Sequence, residues 1–75
     1  MQVWVYLGSI ETVKEFVSIV AHFNGDAELK SGKYVIDAKS IMGIFSLDLS
    51  KKILLNLNDP TQEELNSIDR FIVKE

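Results

Sequence analysis

The residues that could do covalent chemistry are few in this 75-residue chain. It contains no cysteine and a single histidine, His22, which excludes thiol chemistry, disulfides and metal sites that need several histidines or cysteines. Ser9 and Ser40 stand where helices are predicted to begin, but His22 falls near the far end of the first of these helices. A serine nucleophile needs a base within hydrogen-bond reach, and the sequence predicts none beside either serine.

Paired carboxylates and glycines give no stronger sign of catalysis. Glu11 and Glu15, and likewise Glu63 and Glu64, are pairs that solvated helix faces commonly carry. The four glycines form neither G-x-G-x-x-G nor G-x-x-x-x-G-K, the two loop patterns that cradle phosphate groups. We therefore predict a protein that is not an enzyme and that uses no metal and no cofactor.

Composition restricts the class of protein further. Eight basic and eleven acidic residues give a net charge of −3, a balance that does not favour nucleic-acid binding. No apolar run approaches the length of a membrane span, and the first residues lack the basic and apolar regions of a signal peptide. Residues 1–75 are predicted to form one cytoplasmic domain held by packing, since 47% of them are hydrophobic.

The first helix is predicted over residues 10–23, where apolar side chains recur at three- and four-residue spacing. Ser9 is its expected N-cap, and Glu11 in the first turn lies near the positive end of the helix dipole. Asn24-Gly25 is expected to end the helix, because both residue types tolerate left-handed backbone.

A hairpin is predicted next. Two segments, residues 26–30 and 33–37, flank Ser31-Gly32, which suits a two-residue turn. This turn pairs Leu29 with Tyr34 and places apolar side chains on one face.

The second half of the chain repeats the mixture of helix and strand. Ser40 can cap a short helix over residues 41–47, and residues 51–57 alternate as a strand does. Asp59-Pro60-Thr61-Gln62 predicts the start of the last helix, with Asp59 as its cap. With a first strand over residues 2–7, the order is β-α-β-β-α-β-α, typical of an α+β fold with one sheet and helices on one face.

Residues 38–47 read AKSIMGIFSL, and this segment resembles the regulatory-serine segment of HPr, the phosphocarrier of the bacterial phosphoenolpyruvate:sugar phosphotransferase system, which reads A-K-S-I-M-G-x-M-S-L-G. The predicted element order is also that of the HPr family. The resemblance implies an open-faced β-sandwich with a four-stranded antiparallel sheet in the order 1-4-2-3. It also implies that Ser40 is a candidate for regulatory phosphorylation.

Two departures from the family concern its phosphoryl group. HPr carries phosphate on a histidine at the start of the first helix, with an arginine two residues later, and these positions are Ser9 and Glu11 here. The loop before this helix also looks shortened. Serine lacks the imidazole nucleophile and glutamate repels phosphate, so we expect ordinary phosphohistidine chemistry to be lost.

Two surfaces remain as candidates for protein binding. In HPr the short helix carries an exposed apolar patch where partners dock, and its residues correspond here to Ile41, Met42 and Phe45. The second surface follows from strand alternation, which sends Trp4, Tyr6 and Leu54 to the open side of the sheet. Tryptophan and tyrosine are enriched at binding hot spots, so this face is a possible contact for a partner or a homodimer.

The sequence thus predicts an HPr-like domain that has lost the phosphohistidine and binds regulatory or phosphotransferase-system proteins through the short helix. The main alternative is a sugar-transport phosphocarrier with an atypical acceptor such as His22. A second alternative is a structural module that assembles with itself.

Overall fold

The computed structural model describes residues 1–74, which form a four-stranded antiparallel sheet with helices packed on one face. In chain order the elements are β1 (Gln2–Val5), α1 (Ile10–Val20), β2 (Ala27–Ser31), β3 (Tyr34–Asp37), α2 (Ile41–Ile44), β4 (Ile53–Leu57), α3 (Gln62–Ser67) and a 3-10 helix (Asp69–Phe71). The sheet order is β1-β4-β2-β3, so the predicted α+β class and the HPr-like topology are confirmed.

The core lies between the sheet and the helices. Alternation along β4 turns Ile53, Leu55 and Leu57 inward, where at most 2% of each side chain is exposed. Phe16 of α1 meets Phe71 edge to face, with ring centroids 5.4 Å apart. Burial of each such side chain stabilises the fold by about 1.5–3 kcal/mol. No polar side chain is buried among residues 1–74, so apolar packing alone fills this core.

The end of α1 differs from the prediction in its position and its cause. The helix stops at Val20, and neither Asn24 nor Gly25 adopts left-handed backbone, which residues 1–74 show only at Gly8, Gly32 and Asp59. Gly25 instead lies against the backbone carbonyl of Asn58, where any side chain would collide. Glycine is therefore required here for a close approach of two chain segments rather than for helix termination.

The hairpin between β2 and β3 has a different register from the predicted one. Its turn is Gly32-Lys33, so Leu29 pairs with Ile36 instead of Tyr34. The observed pairing differs from the predicted one by two residues. Such a shift leaves every side chain on the same face of the sheet, so the apolar pattern cannot distinguish the two registers. Gly32 decides the register because its φ of 59° suits the first turn position. Tyr34 is left 68% exposed beside the turn.

The cap of the last helix is Thr61, and the predicted cap at Asp59 is wrong. The Thr61 side chain accepts a hydrogen bond from the Glu64 N–H at 3.1 Å, and the Glu64 carboxylate accepts one from the Thr61 N–H at 3.0 Å. This capping box satisfies two N–H groups that the helix itself cannot. Asp59 has a φ of 52° and belongs to the turn before the helix.

Residues 71–73 lie beside the first strand. After the 3-10 helix, Val73 donates its N–H to the Trp4 carbonyl at 2.8 Å, and Tyr6 donates its own to the Phe71 carbonyl at 2.9 Å. These bonds cover the outer edge of β1, which would otherwise present unpaired backbone groups.

Candidate functional site

Ser9, the predicted counterpart of the family's phosphohistidine, serves as the N-cap of α1. Its Oγ accepts a hydrogen bond from the Thr12 N–H at 3.2 Å and lies 2.9 Å from the Thr12 hydroxyl. Its backbone is extended, as an N-cap requires. The site therefore presents two hydroxyl groups and the start of an eleven-residue helix, with no imidazole.

The charges around Ser9 come from residues distant in sequence as well as from α1. Glu11 lies in the first turn of the helix. Arg70 lines the same surface groove as Ser9 and holds the Glu15 carboxylate at 2.6 Å. The arginine was not expected from the sequence, because only the fold of the 3-10 helix brings it here. Its charge is shared with a carboxylate, so the groove is nearly balanced.

His22 lies too far away to act on Ser9. The two residues flank α1, whose eleven residues span about 16 Å. His22 is exposed and lines a separate groove with Glu63 and Glu64. Ser18 and Ser67 line the same groove as His22, but neither forms a hydrogen bond with the imidazole among residues 1–74.

Glu64 joins the ends of α1 and α3. Besides its capping bond, its carboxylate accepts the Asn24 N–H at 3.1 Å. The N–H groups of Thr61 and Asn24 stabilise the charged form and hold the pKa of Glu64 below its ordinary value. The carboxylate thus links the start of α3 to the residues that follow α1.

Ser40 caps α2 in the same way that Ser9 caps α1. Its exposed Oγ accepts the Gly43 N–H at 3.3 Å, and its carbonyl accepts the Ile44 N–H at 3.1 Å. No acidic residue lies in the first turn of α2. The nearest carboxylate in sequence, Asp37, accepts the Lys39 N–H at 2.9 Å.

The apolar side chains of α2 divide between the core and solvent. Ile44 is fully buried, whereas Met42 is 75% exposed and Phe45 is 36% exposed. Ile41 is half-buried and packs against the core, so it forms the margin of the predicted patch rather than its centre. Whether this surface binds a partner stays a prediction.

The open face of the sheet brings together two of the three residues predicted there. Trp4 and Leu54 are cross-strand partners in β1 and β4, and Trp4 is 45% exposed. The Lys52 ammonium lies 5.0 Å from the centre of the Trp4 ring, a distance that permits a cation–π contact. Tyr6, 50% exposed, instead rests its ring against Gly8 and lines the Ser9 groove.

Other classes of site find little support in residues 1–74. They contain no group of three histidine, aspartate or glutamate side chains that could hold a metal ion. No helix among them is long and apolar enough to cross a membrane.

Comparisons with known proteins give a likeness in structure and none in sequence. No family model matches the chain, and no curated protein sequence matches it. Among solved structures, the crystal structure of HPr-C-His from Thermoanaerobacter tengcongensis is similar, with a TM-score of 0.76 and 22% identity. The match covers 93% of this chain and 88% of that one. At this identity the likeness shows that the chain has an HPr-like fold, and it shows no more than the fold.

Proposed function

We propose that the chain is a bacterial, cytoplasmic HPr-like domain that carries no phosphohistidine and acts as a regulatory protein-binding module. The observation that carries the proposal is the exposure of Met42, at 75%, on a helix whose neighbouring Ile44 is fully buried. Methionine and aromatic residues are enriched at protein interfaces. Met42 and Phe45 together leave apolar surface in water that a partner could cover.

The length of α2 explains why this surface stays exposed. The helix has four residues, about one turn, so besides the half-buried Ile41 a single side chain fixes it to the core from a fully buried position. Ile44 takes that position, and Met42 is directed to solvent. A docked partner would bury Met42 and Phe45 without moving the core, which suits a preformed binding surface.

Ser40 is the point at which binding would be regulated. A phosphate ester on its exposed Oγ would add almost two negative charges beside Met42. Desolvating these charges would oppose the burial of an apolar partner surface. We therefore expect phosphorylation of Ser40 to weaken binding through α2.

The test uses the isotope-labelled chain and purified Enzyme I as the probe partner. Resonances of α2 should shift on titration, and Met42→Asp should weaken binding by about tenfold or more, as loss of a hot-spot side chain does. Val35→Asp is the matched control, because Val35 is also an exposed apolar residue, 57% exposed, and its pairing with Lys30 places it on the open face of the sheet, opposite the helices. Equal weakening by both variants would contradict the proposal. So would a loss of several kcal/mol of stability in Met42→Asp, which would place Met42 in the core.

Modification is tested separately with an HPr-type serine kinase and ATP. Phosphate should appear on the wild type and on Ser46→Ala, and should be absent from Ser40→Ala. Ser46 is a suitable control because it is an exposed serine in the same segment. Phosphate on another serine would remove Ser40 from the proposal.

A phosphocarrier with an atypical acceptor is the second candidate, favoured by the exposure of His22, the single histidine of the sequence. Incubation with phosphoenolpyruvate and Enzyme I separates the two candidates. An acid-labile phosphoamidate on His22 would establish the carrier and overturn the regulatory module. A phosphate ester on Ser9 would be too stable for onward transfer.

Self-assembly through the open sheet face is the third candidate, favoured by the exposure of Trp4 beside Leu54. Sedimentation of the wild type and of Trp4→Ser decides it. A wild-type dimer that Trp4→Ser dissociates would support this candidate. A monomer at high concentration in both cases would end it.

A further inference from the structure

Half of the basic residues of this acidic chain meet in one groove. The groove lies at the end of the sheet, between the β2–β3 turn and the segment that leads into β4. We call it the lysine groove, after the four of the chain's eight basic residues that line it: Lys30, Lys33, Lys51 and Lys52. Asp48 is the single acidic residue among its described lining residues. The groove is therefore locally positive, although the chain carries a net charge of −3.

Three of the four lysines hold no carboxylate in the described part of the chain. These are Lys30, Lys33 and Lys51, which form no salt bridge there. Elsewhere Arg70 and Lys74 each hold a carboxylate, at 2.6 and 2.8 Å. Like charges gathered without partners repel one another, and a bound anion would relieve that repulsion.

The one carboxylate in the groove is already engaged. Asp48 accepts the Ser50 hydroxyl at 2.6 Å and the Ser50 N–H at 3.0 Å. These two bonds hold the pKa of Asp48 below its ordinary value, and attraction to the Lys51 ammonium helps to lower it. Asp48 nevertheless forms no salt bridge with Lys30, Lys33 or Lys51 within residues 1–74. The lysine groove keeps an excess of positive charge for a ligand.

Two aromatic rings line the same groove. Trp4 is 45% exposed and Tyr34 is 68% exposed, and both contribute to its wall. Exposed rings beside cations are the combination that binds nucleotides, because a base stacks on the ring while the phosphates meet the cations. A bare inorganic anion would leave the rings unused.

We propose that the lysine groove binds a nucleoside polyphosphate, with its phosphates among the lysines and its base on Tyr34. Tyr34 is the more exposed ring, and the Lys52 ammonium already lies 5.0 Å from the centre of the Trp4 ring. A mononucleotide fits better than a polynucleotide, because a long polyanion would extend past the groove onto the rest of the protein, which has ten acidic and four basic residues. A short ligand stays within about 8 Å of the lysines, the distance over which physiological salt leaves charge effective. The site lies apart from Met42 and Ser40 and does not depend on the proposed docking function.

Trp4 is the only tryptophan in the chain, so its fluorescence reports on this groove alone. The probes are ATP, adenosine and inorganic tripolyphosphate. ATP should change the emission at micromolar to millimolar concentrations and bind more tightly than either fragment. Lys33→Gln and Lys51→Gln should each weaken ATP binding by about three- to tenfold, the effect of one charge at a partly screened distance. Lys14→Gln, an exposed lysine on α1 with the same change in net charge, should leave it unchanged.

Backbone resonances locate the binding site independently of fluorescence. Shifts confined to the β2–β3 turn, Trp4 and residues 46–52 would support the proposal. Equal weakening by Lys14→Gln, or no response to ATP at millimolar concentration, would overturn it. Tripolyphosphate binding as tightly as ATP would remove the base from the proposal and overturn the nucleotide. A single-stranded oligonucleotide that binds far more tightly than ATP would replace the mononucleotide as ligand.

Discussion

Helices α1 and α2 both begin at a capping serine, and they differ in the residues that surround it. Each starts at an exposed serine whose Oγ accepts a backbone N–H, at 3.2 Å for Ser9 and 3.3 Å for Ser40. Beyond Ser9 lie Glu11 and the Glu15–Arg70 ion pair. Beyond Ser40 lies apolar surface, and no acidic residue stands in the first turn.

The difference separates a structural role from a candidate functional one. A helix N-terminus favours an anion in both places, but carboxylates beside Ser9 oppose the phosphate that the family carries there. No carboxylate in the first turn of α2 would oppose a phosphate on Ser40. The helix that keeps the sequence of the family segment is therefore also the one whose surroundings suit modification and docking.

The largest effect we expect concerns the anchor of α2. Ile44→Ala should destabilise the fold by about 2–5 kcal/mol, because it leaves a cavity under a helix that has one fully buried side chain. Met42→Ala should change stability by no more than about 0.5 kcal/mol, because its side chain is exposed. Urea denaturation of the two variants measures both values. Comparable losses would mean that α2 has no outward face, and the contrast between its two sides would disappear.

The two caps provide a smaller and more direct comparison. Ser9→Ala should cost about 1 kcal/mol, a typical value for a capping serine. Ser40→Ala should cost about 0.5 kcal/mol, the lower end of the range, since α2 has four residues and depends on Ile44 for its position. Thermal and urea unfolding of both variants check the order. A larger loss for Ser40→Ala would show that its hydroxyl, and not Ile44, positions the docking helix.

The periodicity of apolar residues predicts most of the helices and strands, because the side chains that it places inward are buried. Val5, Leu29 and Leu55 all occupy the inward positions that alternation assigns to them. The strand order was not available from the pattern and came from the resemblance of residues 38–47 to a family segment. The solved structure with an HPr-like fold then confirmed that order.

The errors arose where residues distant in sequence decide the local conformation. Gly25 is required by the carbonyl of Asn58, which follows the neighbouring strand β4, and the interpretation of Gly25 as a helix end was wrong. The observed N-cap of α3 is Thr61 and not the predicted Asp59, because Glu64 forms a capping box with Thr61. Arg70 reaches the Ser9 groove through a 3-10 helix that no periodicity signals. The candidate site thus depends on contacts that a single sequence does not display.

The far end of α1 offers a pH-dependent test of how that helix is held. The pKa of Glu64 is lowered from its ordinary value of 4.5, so its hydrogen bonds stabilise the fold above that value and are lost as acid protonates the folded carboxylate. Glu64→Gln should therefore reduce the loss of stability between about pH 6 and about pH 3. Glu63→Gln, its neighbour without a hydrogen bond in the described chain, is the control. Urea midpoints across this range supply the measurement, and identical pH profiles for wild type and Glu64→Gln would refute the link.

The smallest effect is expected for phosphoryl labelling of a single substitution at the position of the family's histidine. Ser9→His restores the imidazole that the family uses, yet we expect no detectable labelling by Enzyme I and phosphoenolpyruvate. Glu11 remains in the first turn beside the new histidine, and the one nearby arginine, Arg70, remains tied to Glu15 at 2.6 Å. A phosphorylated imidazole would thus face a carboxylate where the family supplies a cation.

Adding Glu11→Arg to Ser9→His provides the matched comparison, because it replaces repulsion with attraction at the same site. Acid-labile phosphate should appear in the double variant before it appears in either single one. Rapid labelling of Ser9→His alone would show that the charges around α1 do not exclude phosphate. The absence of phosphate at Ser9 would then result from the missing imidazole alone, and the charges that distinguish α1 from α2 would have no part in it.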